Sequence, residues 1–238
     1  MKIDRRKTYL IVLDTETANG IVVDDKTDLS QSLVYDCGWV VCDKQGNIYE
    51  SRSFVNADIF LDYKSMMKSA YYAEKIPNYW KDIKAGKRTL TSYWKIWKTL
   101  HDDIEKYNVK AISAHNAAFD LRALNNTIRY LSKSRFRYFF PKNVEIWDTL
   151  KMANQVLGKT KMYTTFCDEN NYKTNHKTPR NRMTAEILYR YLTGDNNFEE
   201  SHTGLEDVLI EMEILLYCLR SHKKMEKRLY PPKKATNC

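Results

Sequence analysis

Tyr9-Leu10-Ile11-Val12-Leu13-Asp14-Thr15-Glu16 is an unbroken apolar run that ends in two carboxylates set two residues apart. Five consecutive apolar residues read as a strand buried on both faces, near the centre of a mixed or parallel sheet. Side chains at i and i+2 of a strand point to one face, so Asp14 and Glu16 can reach the same cation. A charge at the edge of a buried strand is costly unless it is paired or bound to metal. That cost separates this pair from acidic residues that only solvate a strand end.

Outward from this strand, Leu33 to Cys42 and Ile48 to Val55 are two more β-rich runs, and Asp43-Lys44-Gln45-Gly46-Asn47 between them carries the turn residues of a hairpin. Ala57 to Leu90 shows no clear period, has Pro77 and Gly86 as breakers, and reads as irregular or short-helical. Ser92 to Tyr107 places Trp94, Ile96, Trp97, Leu100 and Ile104 on a helical stripe, and Val109 to Ala114 follows as a short strand. Asn116 stands where it can cap a helix through Tyr130. Val144 to Trp147 is another strand, followed by a helix from Asp148 to Leu157; of two readings for Asp148, an approach to the site and a helix N-cap, the cap is the simpler. Alternating strands and helices imply an α/β sandwich. Gly158 to Arg182 is polar and basic and reads as partly irregular; Met183 to Leu192 and Thr203 to about Ser221 read as closing helices. One domain over residues 1–222 is expected, with residues 223–238 as a flexible basic tail.

A chain of 238 residues with 43% hydrophobic content can bury a sizeable core. The formal net charge of +9 fits a polyanionic partner such as nucleic acid as well as it fits simple solubility. The five cysteines form no CxxC pair, and their odd number argues against a disulfide framework, which suits a reduced cytoplasm. No apolar stretch approaches the roughly 20 residues a membrane span needs, so a soluble, unprocessed, cytoplasmic protein is expected.

Two further segments carry candidate chemistry. In His115-Asn116-Ala117-Ala118-Phe119-Asp120, Asp120 falls in the first turn of a helix that follows a strand, from where it can project toward the strand ends. His115 and Asn116 occupy the turn itself, and a structural or substrate-backbone role suits His115 better than metal ligation. In His202-Thr203-Gly204-Leu205-Glu206-Asp207, Thr203 and Glu206 match a capping box. Glu206 is then expected to cap, leaving Asp207 available to a hard cation at a helix start that favours its ionised form. His202, just outside that helix and beside a metal-binding carboxylate, is a candidate general base.

With Asp14-Thr15-Glu16, the His115–Asp120 segment and His202 with Asp207 in this order and spacing, the chain resembles the DEDDh 3′–5′ exonucleases, which include the proofreading subunit of bacterial replicative polymerase. The resemblance covers roughly residues 8 to 220, and three motifs in register are more specific than any one. It implies a ribonuclease H-like α/β fold, a five-stranded mixed sheet flanked by helices. It also implies that Asp14, Glu16, Asp120 and Asp207 hold two divalent ions, with Asp14 bridging, and that His202 deprotonates the attacking water. Hard oxygen ligands select Mg²⁺ or Mn²⁺ over zinc. Thr15, Thr17, His115 and Asn116 are the candidate substrate contacts. Gly204 stands where the family usually has alanine, and Thr17-Ala18-Asn19 replaces a frequent Thr-Gly.

The resulting expectation is an exonuclease acting on a single-stranded 3′ end, DNA before RNA, with a polymerase or repair protein as a possible partner and no membrane association. The alternatives are a nucleic-acid-binding protein on the same fold without turnover, a ribonuclease H-like endonuclease, which the His202–Asp207 arrangement disfavours, and an RNA-trimming exoribonuclease.

Overall fold

The structure, a computed structural model, describes residues 3–18, 21–23, 26–28, 31–61, 67, 70 and 73–231. Its first strand, β1, runs Tyr9–Ala18, so Asp14 and Glu16 lie within the strand rather than after it. A two-stranded ribbon of β2 (Ile21–Val23) and β3 (Lys26–Asp28) follows. Next come β4 (Leu33–Asp43) and β5 (Ile48–Asn56), the expected hairpin. Strand β1 pairs antiparallel with β4 on one side and parallel with β7 (Ala111–Ala114) on the other. Burial from both edges and both faces is what an all-apolar strand needs.

The main sheet has six strands in the order β6-β5-β4-β1-β7-β8, with β8 at Glu145–Asp148. Five are those read from the sequence. The sixth, β6 (Thr89–Thr91), comes from the segment read as irregular and pairs parallel to the end of β5. That segment also holds the short α1 (Ala57–Phe60), a 3₁₀ turn at Ala73–Lys75 and α2 (Ile76–Lys84). Three residues on a sheet edge are too few to show a period.

Helices cover both faces. On one side Ile11, Leu13, Trp39 and Val41 pack beneath α3 (Tyr93–Tyr107) and α4 (Ala117–Ser132). On the other, Leu10, Val12, Val40 and Cys42 meet α5 (Thr149–Val156), α7 (Ala185–Thr193) and α8 (Gly204–Arg220). Residues 158–182 contain a regular α6 (Lys161–Glu169), which Thr160 opens by accepting the Tyr163 N–H. Asn116 begins α4 by a left-handed backbone (φ 64°) and makes no side-chain cap, contrary to its expected role. Its amide is turned to Asp148 Oδ1, 3.2 Å away, and that carboxylate also caps α5 as expected. The segment expected as a tail is not free at its start: Lys227 O accepts the Asp148 N–H and the Leu229 N–H donates to Ile146 O, so it lies along β8. The rest of that expectation, residues 232–238, falls outside the described residues.

Candidate active site

Alternation along β1 puts Asp14 and Glu16 on the face covered by α8. In register across β4 they oppose Gly38 and Asp36. Gly38 is where α8 begins to cross the sheet: a Cβ added there would lie 2.4 Å from Leu205 N, and one added at Gly204 would lie 2.9 Å from Gly38 N. The two glycines let backbone meet backbone, and the Gly204 N–H donates to buried Asp36 Oδ2 at 3.0 Å. Alanine at position 204 would not fit this approach without movement.

The helix start so pinned delivers Asp207. Its carboxylate accepts the Ser201 hydroxyl (3.1 Å) and the Thr203 N–H (2.8 Å). The expected division of labour between Glu206 and Asp207 is therefore reversed. Glu206 makes no backbone cap; it accepts the Thr203 hydroxyl and pairs with Arg88 at 2.8 Å. Arg88 is buried against Asp36 (3.0 Å) and draws Glu206 sideways. The fully buried Asp36 in turn accepts the Tyr79 hydroxyl.

Asp120 arrives from the first turn of α4, and its Oδ1 accepts the hydroxyl of Thr15 at 2.8 Å. Thr15 points to the opposite face of β1 from Asp14, so its side chain positions Asp120 rather than lining the Asp14 face. Thr17 lies past a register shift in β1 and faces Val34. His115 does not present a free ring: Nε2 donates to Met183 O (2.7 Å), and Nδ1 meets the Thr149 hydroxyl (3.0 Å). Burial lowers its pKa. His115 is a structural link between β7, α5 and the segment before α7.

Ligand-capable atoms of Glu16, His202 and Asp207 all lie within 4.8 Å of one another. Asp14 sits among Glu211, Asp120, Glu16 and Asp207, and burial together with their charges holds its carboxyl well above the usual range. Its Oδ2 is buried without a hydrogen-bond partner among the described residues. Burial, then the charges of Asp36 and Asp207, push Glu16 up to about 9. Burial raises Asp120 to about 7 and Asp207 to about 6, against the hydrogen bonds each accepts. An unpartnered buried carboxylate oxygen amid several carboxyls that resist ionisation is the donor set a hard divalent cation completes.

Four participants were not read from the sequence. Glu211 follows Asp207 by one helical turn, is buried, and accepts the His115 N–H at 3.0 Å; an acid in the apolar run Val208 to Leu216 is a signal that could have found it. Glu200, raised by burial to about 7, lies 3.8 Å from His202 Nδ1. Lys75 donates to Ser201 O and opposes the raised pKa of Glu16, Glu200 and Asp207. Asp36 completes the set. Lys75 and Asp36 belong to segments whose approach is purely tertiary and leaves no local pattern.

No family profile matches the chain, and no curated protein does. Its fold is nevertheless that of solved DEDDh exonucleases. The nuclease domain of 3′hExo, a DEDDh family member, bound to rAMP, superposes with a TM-score of 0.57 at 12% identity, over 94% of this chain and 98% of that one. A 3′-exonuclease in 3′-end-specific recognition of the histone mRNA stem-loop gives 0.58 at 11% identity, over 97% and 71%. Pop2p of S. pombe, in its Mg²⁺- and Mn²⁺-bound form, gives 0.50 at 12%, over 91% and 84%.

Proposed function

We propose that the chain is a divalent-metal-dependent 3′–5′ exonuclease that hydrolyses nucleic acid to nucleoside monophosphates, with DNA favoured over RNA. The observation that carries this reading is the convergence of Asp14, Glu16, Asp120 and Asp207, from two helix starts and one strand, around a buried Asp14 oxygen that has no hydrogen-bond partner among the described residues. The fold it shares with metal-bound and nucleotide-bound nucleases supports the assignment.

In this reading Asp14, Glu16, Asp120 and Asp207 would hold the divalent ions, Mg²⁺ or Mn²⁺. When bound, a pair of such ions supplies Lewis acidity to the attacking and leaving oxygens of an in-line displacement. Thr15 fixes Asp120, and the Asp36–Arg88–Glu206 links fix the start of α8. His202, lowered in pKa by burial and then by Lys75, is neutral at pH 7 and takes the proton of the attacking water. Thr15, Thr17, His115 and Asn116 are the proposed contacts to the terminal nucleotide.

The test is product analysis on end-labelled substrates. A 5′-labelled single strand should shorten stepwise to mononucleotides with Mg²⁺ or Mn²⁺, stop in EDTA, and stall at a phosphorothioate in the last 3′ linkage. Internal fragments would replace the reading with an endonuclease, and binding without products with a non-catalytic protein. RNA and DNA run side by side decide the sugar.

A further inference from the structure

Between Asp120 and Glu145 the chain has no acidic residue and six basic ones: Arg122, Arg129, Lys133, Arg135, Arg137 and Lys142. None of the six forms an ion pair among the described residues. The same stretch holds the most exposed large apolar side chain described, Phe136 at 89%, with Tyr138 at 57%.

The geometry links these residues into one surface. Arg137 lies over the ring of Trp94, itself exposed in the first turn of α3, at 4.9 Å, and Arg129 lies over Tyr138 at 4.9 Å. Arg129 Nε donates to Arg137 O at 3.1 Å, which ties the loop to the helix. Lys133 stands over Tyr130 at 4.3 Å. Arg122 and Arg129, seven residues apart, share a stripe of α4, and Lys133 follows as the left-handed C-cap of that helix. That stripe begins within two residues of Asp120 and ends at the aromatic loop, about 16 Å along the helix at ~1.5 Å per residue.

We propose that this stripe and loop form a second nucleic-acid surface, on which the part of a single strand upstream of its 3′ end lies, with phosphates along Arg122, Arg129 and Lys133 and at Arg135 and Arg137 of the loop, and bases stacked on Phe136 and Tyr138. Alternating cations and exposed rings are what a sequence-tolerant single-strand platform requires. Charge complementarity selects a polyanion, and the exposed rings of Phe136 and Tyr138 beside the charges select one with stackable bases over an acidic protein. The proposal rests on the exonuclease reading for the strand's direction but not for its binding.

The test uses the full chain and fluorescent oligothymidylates of 4 and 30 nucleotides, with binding measured in EDTA and cleavage in Mg²⁺. The wild type should bind the 30-mer at least about tenfold more tightly than the 4-mer. Phe136→Ala/Tyr138→Ala and Arg135→Glu/Arg137→Glu should each remove a gain on the order of tenfold while leaving 4-mer cleavage unchanged. The charge variant should also flatten the salt dependence of 30-mer binding, by about 1–2 in log–log slope. These side chains are exposed, so folding, checked by circular dichroism, should be unaffected. Wild-type binding without length preference, or variants that bind the 30-mer as the wild type does, overturns the surface even if the 4-mer is cleaved. Loss of 30-mer binding in the variants, with no cleavage by the wild type, keeps the surface and removes the exonuclease reading.

Discussion

His202 is held in left-handed backbone, φ 50°, between the residue that Lys75 anchors and the residue that opens α8. An imidazole is the side chain whose unperturbed pKa lies nearest neutrality. His202→Ala leaves all four carboxylates, so turnover should fall by about 10²–10⁴-fold while Mn²⁺ affinity, read by calorimetry, persists. Asp14→Asn should lose both, because it removes the oxygen shared by the proposed ions. Since His202 also lies within ligand distance of Glu16 and Asp207, loss of Mn²⁺ affinity in His202→Ala would reassign the ring as a ligand, and near wild-type turnover would make it structural. Burial and Lys75 lower the His202 pKa from 6.5. The acid limb of the pH–rate profile should therefore fall below pH 6.5, and should be missing from the residual activity of His202→Ala.

At the scale of elements, the site depends on how closely α8 crosses β4. Gly38→Ala places a methyl group against the Leu205 and Gly204 backbone, which cannot rotate away, so α8 must lift from Asp14 and Asp36. The expected result is a stability loss of about 1–3 kcal/mol by denaturant unfolding and a larger proportional loss of turnover, with far-ultraviolet dichroism unchanged. A variant as active and as stable as the wild type would show that the crossing tolerates a shift. This crossing also marks where the sequence stops being legible. β1, β4, β5, β7 and β8 could be read because burial writes itself as apolar runs, and α3, α5 and α8 because an apolar face has a period. The carboxylates of β1 and α8 stood out because Asp14 and Glu16 directly follow an apolar run, although the strand continues past them, and Asp207 opens a helix. Asp36, Lys75, Arg88 and Glu200 could not, since their roles arise from contacts between segments far apart in the chain. The Thr203–Glu206 pattern misled for the same reason: Arg88, distant in sequence, competes for Glu206, and Asp207 takes the cap.

The whole molecule carries a net charge of +9 around a cluster of carboxyls it cannot easily ionise. Folding raises Glu16 to about 9, Asp120 and Glu200 to about 7 and Asp207 to about 6, against about 4 for such groups in an unfolded chain. Each binds its proton more tightly folded than unfolded. Their contribution to stability is thus fully present below about pH 4 and is lost as pH rises through 6 to 9. In chelator, the melting temperature should fall between pH 5 and pH 9. Divalent ions replace the protons, so Mn²⁺ should restore stability more at pH 9 than at pH 5, and its binding should release protons. At a hundredfold excess over its dissociation constant, the ion should add about 2.7 kcal/mol. Asp14→Asn should flatten both trends, because one fewer acid remains to be neutralised and the shared ligand is gone. A metal-free chain equally stable at pH 5 and pH 9, and indifferent to Mn²⁺ at both, would mean that these carboxyls are neutralised from within the fold and that no cation completes them.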